Sequence, residues 1–348
     1  MNLERVWSLL DLAVPGPRMR RAWNRRARAD AGRFIAGPHA ETEERFWKSG
    51  TRDLAELVLR DLRLSPKTRA LEIGCGVGRL LRPLTSRVER AWGVDISEEM
   101  IRRARTALGD LENVQVRLTD GSLDGFGDAT LDLVFSFIVF QHIPQKRDVF
   151  TYVREAARVL EAGGVLRFQV DGRAPHRWWP RDTWRGVSFA KPELLEELVA
   201  AGFEDVDVWG EGTQYLWATA TRLGEPGQPR SSSVRRLRRT WNHEAVEALL
   251  HRLGADCPGA VELVLLGECT LRALAVPFLE RGLDLPAEDF VRVLYRAVLG
   301  READAEGLAF HTRGTETGVA RAYVLDCLLS SPELEDRLRP LVEAAPPS

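Results

Sequence analysis

The stretch ALEIGCGVG, residues 70–78, limits what this chain can fold into more than any other. An apolar run (Leu71, Ile73) carries Glu72 and then breaks into Gly74, Gly76 and Gly78. A periodic segment from Leu80 to Leu84 follows. This is the pattern of a buried strand, a tight glycine turn and a helix start. Such a turn lets the backbone approach a ligand closely and points helix N–H groups at it. A second apolar run, AWGVDIS, contains Asp95 at its end. An acid about 20 positions beyond a glycine turn can accept hydrogen bonds from ribose hydroxyls. The pair implies an adenosine-bearing cofactor on a doubly wound α/β sheet. An ordinary structural turn is the alternative.

The dinucleotide fingerprint G-x-G-x-x-G would need its third glycine at Arg79, and Gly78 comes one residue early. The observed spacing, with Glu72 on the strand itself, resembles the D/E-x-G-x-G-x-G motif of class I S-adenosylmethionine-dependent methyltransferases. A nicotinamide enzyme remains the rival. The resemblance implies a Rossmann-like seven-stranded sheet, mostly parallel with the last strand antiparallel. It also implies cofactor contacts from Glu72, Gly74, Cys75, Gly76, Gly78, Asp95 and Ile96. Further contacts follow from Asp120 and Gly121, where an acid commonly meets the adenine amino group, and from Ser136 and Phe137. The lead-in RAWNRRARADAGRFIAG…ERFWKSG resembles a helical cap over the cofactor, which would bring Ser49 and Gly50 to its methionine part.

The later segments fall in the order this family requires. Ser97 caps a helix whose Met100, Ile101, Ala104 and Leu108 share one face. NVQVRL (113–118) reads as a strand, and LDLVFSFIVF (131–140) as a central strand buried on both sides. The latter runs into His142, a candidate general base at the carboxyl end of the sheet. A packing histidine is the other reading. A helix over roughly 147–160 and a strand from Val165 follow, separated by Gly163 and Gly164. Residues 171–188 then break the pattern with His176, Trp178, Trp179, Arg181 and Trp184, which are expected to hold the methyl acceptor. A satellite apolar cluster would also account for them. No metal-ligand cluster accompanies these motifs.

The chain is 348 residues long, enough for about two domains. A net charge of -2 argues against a chain that as a whole binds nucleic acid or a membrane surface by charge alone. Cys75, Cys257, Cys269 and Cys327 form no C-x-x-C site, which suits a reducing cytoplasm. No apolar run is long enough to predict a membrane span. Residues 14–33 are rich in arginine, suiting either an anionic partner or the solvated face of a helix.

The expected organisation is a helical lead-in (1–40), a cofactor-binding domain (41–222), a Gly/Pro/Ser linker (223–233), a mixed or helical connector (234–284) and a small helical domain (285–340). LYRAVLGREADAEGL with SSPEL resembles a helical bacterial domain of unassigned function, with His311 where that pattern usually has Trp. It implies a module that engages a protein partner. The leading expectation is a methyltransferase acting on O or N of a small molecule or glycan. A non-catalytic S-adenosylmethionine-binding scaffold or sensor is the alternative. A nucleic-acid methyltransferase fits less well, because FIVFQH stands where an N/D-P-P-aromatic signature would.

Overall fold

The structure is a computed structural model that describes residues 15–37, 41–174, 183–255, 257–316 and 320–342. Its centre is a seven-stranded sheet of order β4-β3-β2-β5-β6-β8-β7. The strands are β2 (Arg69–Ile73), β3 (Arg90–Asp95), β4 (Val114–Leu118), β5 (Leu131–Ser136), β6 (Leu160–Val170), β7 (Phe203–Trp209) and β8 (Leu216–Arg222). β8 pairs antiparallel with both β6 and β7, so the last strand inserts between them. Every residue of β5 is buried, as a strand covered on both faces requires.

Local signals set the helices. α1 (Pro15–Ala36) breaks its helical geometry at Asp30, where the backbone is extended. In α2 (Glu43–Asp53) the Thr42 side chain caps the Arg45 N–H. A single turn, α3 (Leu81–Leu84), follows the glycines. α4 (Glu98–Ala107) starts at Ser97, whose side chain accepts from the Met100 N–H, with Glu98 and Glu99 in its first turn. α5 (Lys146–Val159) and α6 (Lys191–Ala200) flank the β6 crossover. β6 begins at Leu160, directly after α5, and takes in Gly163 and Gly164, which were expected to separate helix from strand.

The C-terminal part is built from α7 (His243–Leu253), α8 (Ala260–Leu266), α9 (Leu271–Leu274), α10 (Val276–Arg281), α11 (Ala287–Leu299), α12 (Ala305–Glu316), α13 (Arg321–Leu329) and α14 (Pro332–Leu338). The segment 261–266, open to either reading in sequence, lies in a helix. Val246 and Leu250 share one apolar core with Leu294, Val298 and Leu334. The expected connector and the expected small domain are therefore one packed unit. Trp209, on the sheet's edge strand, belongs to that core as well.

The Gly/Pro/Ser segment is not a free tether. Ser231 donates from its backbone N–H to the Ala162 carbonyl and from its hydroxyl to Asp132, each across 2.6 Å. β1 (Leu62–Leu64) pairs antiparallel with β9 (Val234–Arg236), and β10 (Arg238–Arg239) pairs with β11 (Leu341–Val342). Buried charges bridge the two units. Arg60 pairs with Glu335 at 2.7 Å. Arg339 pairs with Asp207, and Asp61, itself paired with Arg167 within the sheet unit, lies 4.0 Å from Arg239. Arg239 lies 3.6 Å from Glu335. The described helices include none long and apolar enough to cross a membrane.

Candidate cofactor site

The glycine turn sits at the carboxyl end of β2, where the chain feeds β3 and β4 to one side and β5 and β6 to the other. That is the topological switch point of an open α/β sheet. Gly74, Gly76 and Gly78 have φ of 78°, 54° and 89°, a left-handed run that glycine adopts readily. The Gly74 and Cys75 N–H groups donate to the Val94 carbonyl at 2.7 and 3.0 Å. Gly76 N–H donates to Oδ2 of Asp95 at 2.9 Å, and Ser97 N–H to Oδ1 at 2.8 Å. Each carboxylate oxygen keeps a second lone pair, so the acid can still accept from a diol.

A cavity of about 380 Å³ opens over this turn. Of the residues expected to contact a cofactor, Glu72, Gly74, Cys75, Gly76, Asp95, Ile96, Asp120, Gly121 and Phe137 line it. α1 covers it with Met19, Trp23, Phe34 and Ile35. A Cβ on Gly76 would stand 2.9 Å from Cδ1 of Ile35, so the turn and its cover meet closely.

An acid and a guanidinium share the wall. Glu72 is buried, and its Oε2 has no hydrogen-bond partner among the described residues. Burial pushes its carboxyl up to about 8 and Asp95 adds to this, while the Arg79 guanidinium pulls the other way. Burial also raises Asp95, to about 6, against the pull of the N–H groups of Ser97 and Gly76. Arg79 is buried and gives Nη1 to Asp53 at 2.7 Å and to the Ser49 hydroxyl at 3.0 Å. Its Nε has no partner among the described residues. Glu72 and Arg79 thus line one cavity, each with one buried polar atom left unpaired among the described residues. Left empty, such groups are costly. They suit a ligand that carries both an ammonium and a carboxylate.

Several expected contacts stand elsewhere. Ser49 and Gly50 are not on the cavity wall: both pack on Arg79 from behind. Gly78 serves helix packing, since a Cβ there would come within 2.6 Å of Leu108. The Ser136 hydroxyl donates to the Ile73 carbonyl at 2.9 Å and does not line the cavity.

His142 is also off the wall, buried beneath Trp23 and Trp184. Its Nδ1 lies 2.6 Å from the Trp184 carbonyl and its Nε2 lies 3.3 Å from the Gln141 amide. A carbonyl only accepts, so Nδ1 carries the proton. The Nε2 lone pair then receives the amide N–H. These contacts give His142 the surroundings of a packing residue.

Trp184 stacks on His142 with ring centroids 4.9 Å apart, and Phe34 lies 5.7 Å from it. It borders the cavity through Trp23 and Phe34 and does not line it. His176, Trp178, Trp179 and Arg181 lie outside the described residues.

Sequence reasoning missed Arg79 and the cavity residues of α1. It also missed Asp148, Thr151 and Tyr152 on α5, all of which line the cavity. The available signal was spacing: Asp148, Thr151 and Tyr152 lie at i, i+3 and i+4 on a helix that follows strand β5 into the carboxyl edge.

Sheet order, glycine turn and paired acids define a Rossmann-like cofactor-binding domain of the methyltransferase type. Residues 71–168 match the family described as "Methyltransferase domain", and residues 277–338 match the "Domain of unknown function (DUF4214)". The chain thus carries a methyltransferase domain followed by that helical domain.

Three curated proteins show the likeness. A "Probable S-adenosylmethionine-dependent methyltransferase" of Mycobacterium tuberculosis is 31% identical over 42% of this chain and 54% of its own length. The 2-methyl-6-phytyl-1,4-hydroquinone methyltransferase of Synechocystis is 27% identical over 45% of this chain and 52% of its own. A ubiquinone biosynthesis O-methyltransferase of Rhizobium johnstonii is 30% identical over 41% and 62%. The chain spans about half the length of the first two and somewhat more of the third.

Proposed function

We propose that this chain binds S-adenosylmethionine in the cavity over the glycine turn and transfers its methyl group to O or N of a small-molecule or glycan acceptor. The observation that carries this reading is the wall holding Glu72, Arg79 and Asp95. The Glu72 carboxyl suits the α-ammonium of the cofactor, the Arg79 guanidinium its α-carboxylate, and Asp95 its ribose diol. The match of residues 71–168 to the methyltransferase domain supports the same reading.

When bound, the cofactor would supply an electrophilic sulfonium methyl for in-line attack by an acceptor lone pair, with the thioether leaving on the C–S electrons and the acceptor's proton passing to solvent. The chain's own residues position the reactants and exclude water. Met19, Trp23, Phe34 and Ile35 cover the site with apolar surface, and Asp148 and Thr151 supply polar groups on the opposite side. Proximity and desolvation then do most of the work. The four unpaired cysteines support a reducing, cytoplasmic setting. We assign the helical C-terminal unit to engaging a protein partner.

The test is methyl transfer from labelled S-adenosylmethionine into the small-molecule and glycan fractions of a cell extract. The expected result is label in one acceptor, lost with Gly76→Val. Cofactor binding with no labelled product in any fraction would instead indicate a scaffold or sensor.

A further inference from the structure

We propose that the outer face of α1 is a docking surface for an anionic lipid bilayer. Arg18, Arg21, Arg25 and Arg28 recur at i, i+3, i+7 and i+10, which puts them on one side of the helix. Arg21, Arg25 and Arg28 are exposed and Arg18 is partly so. The one acid of the helix, Asp30, comes after this stripe, at the break in the helix. The chain as a whole has a net charge of -2, so the stripe is a local concentration of charge and not a sample of a basic protein.

The other side of α1 is already used. Met19, Ala22, Ala27 and Ala31 are buried, and Met19 and Trp23 line the cavity. Arg20 and Arg26 also turn inward, to the carbonyls of Thr119 and Thr183. With its apolar face committed to the protein, α1 has none to sink into hydrocarbon. It can meet a bilayer only by charge, at the headgroups.

Nucleic acid offers the same negative charge. Two observations favour a lipid surface. The helix bearing the stripe is also the cover of an apolar cavity, so docking would set an apolar reservoir beside that cavity. Trp184, which is 42% exposed, stands at the same rim against Trp23 and Phe34. A half-exposed indole suits the boundary between headgroups and acyl chains. Resting on the methyltransferase reading, docking would favour an acceptor with an apolar portion. The docking itself does not depend on that reading.

The test is co-sedimentation of the full chain with phosphatidylcholine vesicles and with vesicles also holding phosphatidylglycerol, at low and high salt. Each arginine near an anionic surface strengthens binding by about fivefold. Wild type is expected to sediment only with the anionic vesicles and to release at high salt, because exposed charges are screened there. Arg25→Gln with Arg28→Gln should weaken binding about 25-fold, by the same factor per arginine. Arg25→Lys with Arg28→Lys should retain it. Circular dichroism should show all three proteins equally folded, as exposed positions allow. Equal binding to neutral vesicles, unchanged binding by the glutamine variant, or release from vesicles by a duplex oligonucleotide that binds more tightly would each overturn the proposal.

Discussion

The backbone N–H of Gly76 donates to Oδ2 of Asp95 across 2.9 Å, joining the glycine turn to the end of the neighbouring strand. The other oxygen holds Ser97 N–H at the start of α4. One carboxylate therefore fixes the turn, the strand end and a helix start, and still faces the cavity. Asp95→Ala should leave two N–H groups without their acceptor and remove the diol's partner. Cofactor affinity should fall by about 1.5–3 kcal/mol, the range for hydrogen bonds to a charged group. Calorimetric titration of the variant against wild type checks this.

Glu72 makes the empty site sensitive to pH. Its carboxyl is raised from 4.5 to about 8 by burial, and that of Asp95 from 3.8 to about 6. A raised acid holds its proton longer in the folded state than in the unfolded one. Its contribution is fully present below the unfolded value and is lost as pH rises through the folded one. The unliganded protein should therefore lose melting temperature between about pH 5 and 8. Glu72→Gln should flatten that slope and raise the melting temperature at pH 8. The same variant should weaken cofactor binding at pH 8, where wild type offers a carboxylate to an ammonium. Scanning calorimetry and titration across this range separate the two effects.

The interface between the sheet and the helical unit predicts that the two are not independent. Glu335 is buried among Arg60, Arg239 and Arg339. Glu335→Ala should cost about 3–5 kcal/mol, because it leaves guanidinium groups buried without their acid. A cut within 224–233 should expose Trp209 and take Val234 from β1, so the 1–225 fragment should melt well below the whole chain. Denaturant unfolding of all three forms checks both statements.

Sequence patterning revealed the parts of this fold set by local chemistry. The glycine run, Asp95, the Ser97 cap and the largely apolar β5 each announce themselves within a few residues. The parts set by distant contacts were not legible. Leu62–Leu64 and Val234–Arg236 are three-residue strands too short for a readable alternation, and they exist because they pair with each other. Residues 224–233 have the composition of a linker, and hydrogen bonds from Ser231 to Ala162 and Asp132 hold them in place. The lead-in was expected to cover the cofactor, but which of its residues do so, such as Met19 and Trp23, could not be read. Only the placement of α1 over the turn shows them to be cavity wall. His142 stood at the right place in the chain for a base, and its contact with the Trp184 carbonyl, 42 residues on, could not be read from spacing.

His142→Gln should accordingly act on structure. Losing the contact to the Trp184 carbonyl and the stack on its ring should cost about 1–2 kcal/mol. Once an acceptor is known, the pH profile of transfer should keep its shape in this variant while the rate falls modestly. Loss of one limb of the profile would restore His142 as a base.

Gly78→Ala separates packing from binding within the same turn. Its φ of 89° and the 2.6 Å approach of a Cβ to Leu108 should destabilise the protein by about 1–3 kcal/mol. Because Gly78 does not line the cavity, affinity measured on the folded fraction should hold.

The most direct test of the central claim is calorimetric titration of the full chain with S-adenosylhomocysteine, beside Gly76→Val and beside NAD. The account predicts saturable binding of S-adenosylhomocysteine by wild type, none by Gly76→Val, whose side chain would fill the gap beneath Ile35, and none of NAD. Absence of binding by folded wild type, or NAD binding that displaces S-adenosylhomocysteine, would contradict it.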